Sequence, residues 1–196
     1  MYAFGKPIQY AYLFEDLPLW SVQTVYGSRP WSMEMPSAGR PFTWAMLLAL
    51  RRRGVDIVWL THSAGLSAAG DEDLDGKLPF MERYEIPQTT VDAVERAQAQ
   101  GSRVIAVGTT VVRAVEGSIM SNGCLRAGDG ETGLIIDKSF RPKVVTGILT
   151  GVHDPAQSHF RLLRAFADET LLRQVWRHAT EAAYLCHEFG DSCLII

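Results

Sequence analysis

The segment between residues 101 and 116 places the strongest constraint on the fold of this 196-residue chain. A short run rich in β-branched residues ends there at Gly108, and Thr109 and Thr110 then open an amphipathic helix. A strand, a glycine turn and a helix in this order are typical of α/β folds. Because the first amides of such a helix have no intrahelical acceptor, the junction predicts a site for phosphate, carboxylate or sugar oxygens. Arg113 lies one turn further on and could reach the same ligand. The alternative interpretation is a tight turn with a plain threonine cap.

Helix and strand signals alternate along the rest of the chain. Thr43 is a suitable N-cap for a helix that ends at three arginines and Gly54. Pro87 opens a second helix, which ends at Gly101. We therefore predict a single α/β domain over residues 1–196, in which helices flank a mixed, largely parallel sheet. The other expected elements are strands at 10–14, 55–61, 103–107 and 192–196, a hairpin of 134–136 with 143–145, and helices near 157–167 and 169–184.

Composition and charge argue against several classes of protein. A formal net charge of −3 provides no global attraction for nucleic acid, so RNA binding would need a local basic face. The first twenty residues lack a signal-peptide core, and no apolar run approaches the roughly 20 residues that a membrane helix needs. Three cysteines without a short pair, and histidines without metal-ligand spacing, predict a reduced cytoplasmic protein that binds no metal. The arginines near the C-terminus alternate with acidic residues, which predicts a mixed solvated surface: Arg161, Arg164, Arg173 and Arg177.

Two further loops carry candidate ligand-binding residues. In the first, residues 34–43, prolines restrict the backbone and a Ser-Ala-Gly step lets a ligand approach it closely. Its candidates are Ser37, Ala38, Gly39 and Thr43, although a purely structural loop explains the spacing equally well. The second loop, residues 150–159, follows a predicted strand and places a histidine beside an aspartate, which suits proton transfer or a bond to a sugar hydroxyl. Its candidates are His153, Asp154 and Ser158, and the alternative for Asp154 is an ordinary turn residue before proline.

Three of these segments resemble, in the same order, motifs of one enzyme family. Residues 36–43, Pro-Ser-Ala-Gly-Arg-Pro-Phe-Thr, are similar to its Pro-Thr-Ala-Gly-Leu-His-Phe-Thr motif. Residues 103–116 resemble its strand-Gly-Thr-Thr-helix motif, and residues 189–195, Phe-Gly-Asp-Ser-Cys-Leu-Ile, its Phe-Gly-Asp-Ala-Met-Leu-Ile terminus. From about residue 17 to 196 the chain thus resembles the C-terminal portion of the S-adenosylmethionine:tRNA ribosyltransferase-isomerases of queuosine biosynthesis, in a divergent branch. It departs from the family at Pro41, where the family has histidine, and at Gly151-Val152, where it has Asn-Phe.

The resemblance implies a reaction and a set of roles. Family members transfer and rearrange the ribosyl group of S-adenosylmethionine onto a 7-deazaguanine base in tRNA. S-adenosylmethionine is thus the expected substrate and tRNA the expected partner, with weak tRNA binding by this chain alone. His153 is the expected proton-transfer residue, Asp154 would orient it, and Asp191 is a further catalytic candidate.

The resemblance also implies that the family's N-terminal segment and inserted β-barrel are missing from this chain. Two other hypotheses therefore stay open. One is a degenerate paralogue that binds S-adenosylmethionine or a nucleoside without turnover. The other is a fragment that needs a partner chain or the missing N-terminal half.

Overall fold

The computed structural model describes residues 15, 17–32, 35–65, 71, 73, 80–186 and 190–196. Its helices are α1 (Trp44–Arg52), α2 (Gln88–Ala99), α3 (Thr109–Asn122), α4 (Ser158–Leu163) and α5 (Glu169–Glu181), with 3-10 turns at Leu19–Val22 and Ser37–Gly39. Its strands are β1 (Thr61–His62), β2 (Glu82–Ile86), β3 (Ile105–Val107), β4 (Gly128–Thr132), β5 (Gly147–Gly151) and β6 (Ser192–Ile195). The predicted strand at 10–14 lies outside the described residues.

The strands form two small sheets. In the first, the strand order is β1-β2-β4 and both pairs are antiparallel, with Tyr84 opposite Gly130. In the second, the order is β3-β5-β6, where β3 runs parallel to β5 and β6 runs antiparallel to it. Within the described part of the chain, no helix combines the length and the apolar character that crossing a bilayer requires.

Helix α3 is the central element because it contacts strands of both sheets. Its buried residues include Val112 and Ala114, each 0% exposed. Gly117 lies directly against the side chain of Thr132 on β4, so a larger residue would push the helix away from the first sheet. The apolar core therefore surrounds one helix that joins the two sheets.

The prediction of an α/β fold with mixed strand directions is confirmed, but the expected largely parallel sheet is wrong. Among the described strands, β3–β5 is the one parallel pair of four. The antiparallel sheet was missed because its central strand, β2, was not predicted from the sequence. Of the predicted strand at 55–61, only its last residue is in a strand, and Val55 and Val58 are partly exposed.

The predicted hairpin of 134–136 with 143–145 is also wrong, and a buried carboxylate explains why. Glu116, on α3, is 0% exposed. Its two oxygens accept hydrogen bonds from the amides of Lys143, Val144 and Val145 at 2.9, 3.0 and 2.9 Å. Because these amides are satisfied by a side chain, the apolar segment is buried without a partner strand.

Replacing Glu116 by glutamine should therefore destabilise the fold. The variant loses the charge-assisted bonds, and its NH₂ group faces a backbone donor, so we expect the free energy of unfolding to fall by about 1–3 kcal/mol. Chemical denaturation measures this, with Glu95→Gln on the exposed face of α2 as the matched control. An equally small change in both variants would show that Glu116 does not anchor the segment.

Candidate functional site

The N-terminus of α3 is held in place by the turn at Gly108. The backbone there has φ +100° and ψ 149°, a conformation that is essentially restricted to glycine. The amide of Gly108 donates to the carbonyl of Leu149 at 2.9 Å, which extends the β3–β5 pairing into the turn. The first amides of α3, at Thr109 and Thr110, consequently lie beside the carboxyl end of β5, and both residues line a cleft.

The 3-10 turn Ser37–Gly39 forms a second wall of this cleft. Ala38 lies next to Gly108, so the turn approaches the start of α3 closely. Gly39 is packed under the phenol of Tyr26, where a Cβ would collide with the hydroxyl. Burial raises the pKa of Tyr26 to about 12, so the phenol stays protonated. Thr43 has one of its two predicted roles, because its hydroxyl caps α1 by accepting the amide of Met46 at 3.2 Å, whereas it is not among the residues that line the cleft.

The end of β5 and the start of α4 supply the third wall. The Nε2 atom of His153 lies 2.8 Å from the hydroxyl oxygen of Thr150, and both residues line the cleft. The ring of His153 stacks on that of His159, with centroids 4.9 Å apart and an angle of 19° between the planes. Ser158, the first residue of α4, also faces the cleft.

The carboxylates of the two candidate aspartates accept backbone amides. Asp154 accepts the amide of Ala156 at 2.8 Å, which is the turn arrangement considered as its alternative role. Asp191 accepts the amide of Leu185 at 2.8 Å, and its own amide donates back to the Leu185 carbonyl. The lining of the cleft includes neither aspartate. Their expected catalytic roles are therefore not supported by their positions.

A buried polar cluster that forms part of the cleft wall was missed in the sequence. Glu82 is 6% exposed and pairs through Oε2 with the guanidinium of Arg113, while its Oε1 accepts the amide of Gly65 at 2.7 Å. The Nε2 atom of His62 lies 3.3 Å from the same Glu82 oxygen Oε2. A sequence signal was present, because Glu82 shares the inward face of β2 with Tyr84 and Ile86, and an acid on that face needs a buried partner.

This cluster changes the expected role of Arg113. The residue is 8% exposed, its Nε donates to the carbonyl of Leu134 at 3.1 Å, and it neutralises Glu82. Burial lowers the pKa of Arg113, and the neighbouring Glu82 offsets part of that effect. Arg113 thus supports the site as half of a buried ion pair, and it contributes little net charge to the cleft.

His62 is held neutral within the cluster. Burial, followed by the positive charge of Arg113, lowers the pKa of His62 from 6.5 to about 4. Its contact with Glu82 is therefore not an ion pair at neutral pH. The three side chains together carry a net charge near zero.

The completed cleft brings together three segments that are far apart in the sequence. The start of a helix, several hydroxyls and the imidazoles of His153 and His159 line a cavity of about 130 Å³. Among the described residues, no group of three histidine, cysteine, aspartate or glutamate side chains could hold a metal ion. The lining also includes the ion pair of Glu82 with Arg113, and Arg161. Donors and acceptors of this kind beside a helix N-terminus suit a ligand with a carboxylate or sugar hydroxyls.

The buried His62 should make the fold sensitive to mild acid. Between pH 6.5 and about 4 the unfolded chain binds a proton at this residue and the folded chain does not, so stability falls as the pH falls. We expect a loss of about 3 kcal/mol from this residue across that interval. Denaturation at a series of pH values should give a shallower slope for His62→Gln than for the wild type. The exposed control His178→Gln should keep the wild-type slope, and an unchanged slope in His62→Gln would contradict the account.

Comparison with known proteins finds relatives in sequence and in structure. A solved S-adenosylmethionine tRNA ribosyltransferase from Thermotoga maritima superposes with a TM-score of 0.68 at 29% identity, covering 81% of this chain and 51% of that protein. S-adenosylmethionine:tRNA ribosyltransferase-isomerase of Azoarcus sp. is 38% identical over 88% of this chain and 51% of its own length. The Thermus thermophilus protein of the same name is 37% identical over 94% of this chain and 54% of its own length.

All three proteins are named as S-adenosylmethionine tRNA ribosyltransferases, and each match covers at least 81% of this chain. The chain spans about half the length of the curated relatives that it matches. The sequence model of the family described as "Queuosine biosynthesis protein" matches residues 1–195. The chain therefore belongs to the queuosine biosynthesis protein family.

Proposed function

We propose that this chain binds S-adenosylmethionine in the cleft and uses it as a ribosyl donor. The acceptor would be a 7-deazaguanine base in tRNA, with transfer and isomerisation of the ribosyl group as the reaction. The names of the relatives support this assignment. Those relatives are about twice as long as the part of them that matches this chain. For this chain the whole reaction is a proposal.

The observation that carries the proposal is the convergence of three segments on one cleft. The start of α3 at Gly108, the turn Ser37–Gly39 and the end of β5 were each a candidate by sequence, and the fold brings them together. The turn after β3 and the loop after β5 meet because these strands are parallel neighbours, and the turn Ser37–Gly39 joins them at this edge. The carboxyl end of parallel strands is where α/β folds commonly bind ligands.

Roles within the cleft follow from the chemistry of each wall. The amides at the N-terminus of α3 suit the carboxylate or the ribose oxygens of the ligand. The turn of Ser37, Ala38 and Gly39 offers backbone that a ligand can approach. His153 is the proposed proton acceptor, and Thr109, Thr110 and Ser158 provide hydroxyls. Arg113 lines the cleft as the partner of Glu82 and holds that part of the wall in place.

The proposed reaction needs a base, and His153 is the candidate for it because its imidazole lines the cleft. The positive sulfur of S-adenosylmethionine acidifies the neighbouring C–H bonds, so a single base together with contacts to the sugar hydroxyls can start the rearrangement. An imidazole suits this task because its usual pKa lies near neutral pH.

The tRNA partner is expected to bind this chain only weakly on its own. Arg161 lies 3.8 Å from Asp137, while Arg164 and Arg173 lie 3.1 and 2.8 Å from Glu169. These arginines are matched by acids, in agreement with the predicted mixed surface. With a net charge of −3, the chain offers little for the phosphate contacts that dominate nucleic-acid affinity.

Replacing Thr109 by valine should weaken the binding of S-adenosylmethionine. The change removes a hydroxyl at the first position of α3, and we expect a loss of about 1–3 kcal/mol in calorimetry. Thr170→Val in the first turn of α5 is the matched control, since it removes an exposed hydroxyl near another helix N-terminus. Equal affinity in both variants, with folding intact, would refute the role of the α3 junction.

Replacing His153 by glutamine should lower turnover and leave binding nearly unchanged. A general base of this kind contributes about 10²–10⁴-fold to the rate, so adenine release from S-adenosylmethionine in the presence of tRNA should fall by that factor. His178→Gln on α5 is the control. Normal release by His153→Gln would place the base elsewhere. Affinity for S-adenosylmethionine without any release in the wild type would instead favour a binding protein without turnover.

A further inference from the structure

The hydroxyl of Thr150 and the imidazole of His153 form a pair at the inner end of the cleft. The two atoms are 2.8 Å apart, which is a good hydrogen-bond distance. Thr150 is 3% exposed, and both residues line the cleft. The Nε2 atom of His153 is therefore directed at a hydroxyl that itself borders the ligand space.

Strand pairing on both sides fixes the position of that hydroxyl. Thr150 lies opposite Cys193 of β6, and its neighbour Leu149 lies opposite Val107 of β3. The carbonyl of Leu149 also accepts the amide of Gly108. Thr150 directly follows Leu149, whose carbonyl positions the start of α3. The same paired strands therefore hold its hydroxyl and the proposed ligand-binding amides.

The stacked ring of His159 restrains the imidazole in turn. Its centroid lies 4.9 Å from that of His153, and the planes are 19° apart. Two stacked imidazoles this close disfavour simultaneous protonation, because like charges repel. The stacking therefore disfavours the state in which both rings are charged.

Building on the proposed function, we propose that Thr150 is a further catalytic residue, which passes a proton from the bound S-adenosylmethionine ribosyl group to His153. The substrate C–H bond breaks as an O–H bond forms at Thr150 Oγ1, and the original O–H bond of Thr150 breaks as an N–H bond forms at His153 Nε2. The electron pair stays on the substrate carbon, where the neighbouring sulfonium stabilises it. Thr150 ends neutral and His153 ends as the imidazolium, so the proton is conserved.

This relay requires one tautomer of the resting imidazole. Thr150 must donate its O–H to Nε2, which places the ring proton on Nδ1. Long-range ¹H–¹⁵N correlation of ¹⁵N-histidine-labelled protein reads the tautomer directly, at about pH 8 where an ordinary imidazole is neutral. The chain has five histidines, and the signals missing from His153→Gln assign the residue.

The expected spectrum shows Nε2 of His153 unprotonated and Nδ1 protonated. Thr150→Val should shift the His153 signals towards a mixture of tautomers, and Thr150→Ser should restore them. Thr90→Val removes another buried hydroxyl, which donates to the Trp59 carbonyl at 2.5 Å, and should leave the His153 signals unchanged. A proton on Nε2 in the wild type overturns the relay, and this reading needs no turnover.

Activity provides the second test. The rate of adenine release should fall in Thr150→Val by about the same 10²–10⁴-fold as in His153→Gln. The rate of the double variant should be little lower, because the two residues act as one unit. Thr150→Ser should recover most of the rate. Additive losses, or near-normal release by Thr150→Val, contradict the proposal.

Calorimetry separates this proposal from the assignment of the ligand. S-adenosylmethionine should bind Thr150→Val about as tightly as it binds the wild type, since the relay acts in the chemical step. Failure of the wild type to bind it would overturn the proposed function. A wrong tautomer with intact binding would overturn only the relay.

Discussion

The hydrogen bond from the Gly108 amide to the Leu149 carbonyl, 2.9 Å long, is the contact on which the cleft depends. It is the last bond of the parallel β3–β5 pairing, and it lies where the chain leaves β3 and turns into α3. The unusual backbone angles at Gly108 make that turn possible. As a result, the start of α3 and the end of β5 are placed side by side, and the loop that carries His153 begins at the same edge.

Two buried carboxylates keep this arrangement in place from opposite sides. Glu116 holds the segment before β5 through three backbone amides, so β5 begins from a fixed position. Glu82 joins β2 to α3 through Arg113, which links the antiparallel sheet to the central helix. A buried charge is costly unless it is paired and hydrogen-bonded, and both acids meet that condition. The pairing also explains why a cleft bordered by Arg113 has little net charge.

The sequence predicted the elements whose signals are local and missed those that depend on distant partners. Thr43 as the cap of α1 and the glycine turn at 108 follow from short-range chemistry, and the structure confirms both. The hairpin over 143–145 failed because its amides bond to Glu116, 27 to 29 residues away. The cluster of Glu82 with Arg113 is likewise a pairing across 31 residues, which periodicity alone does not reveal. At the site, the segments singled out in the sequence lie along the cleft, whereas Asp154 holds a turn and Asp191 bonds to the backbone of Leu185.

The most direct test of the central claim is to map S-adenosylmethionine binding on the protein by amide chemical shifts. A titration followed by ¹H–¹⁵N correlation would report which backbone amides change. We expect the largest changes at Gly108, Thr109 and Thr110, with further changes at Ala38 and His153. Changes centred on another surface, such as the groove between α1 and α2 near Asp56 and Arg96, or no change at saturating ligand, would contradict it.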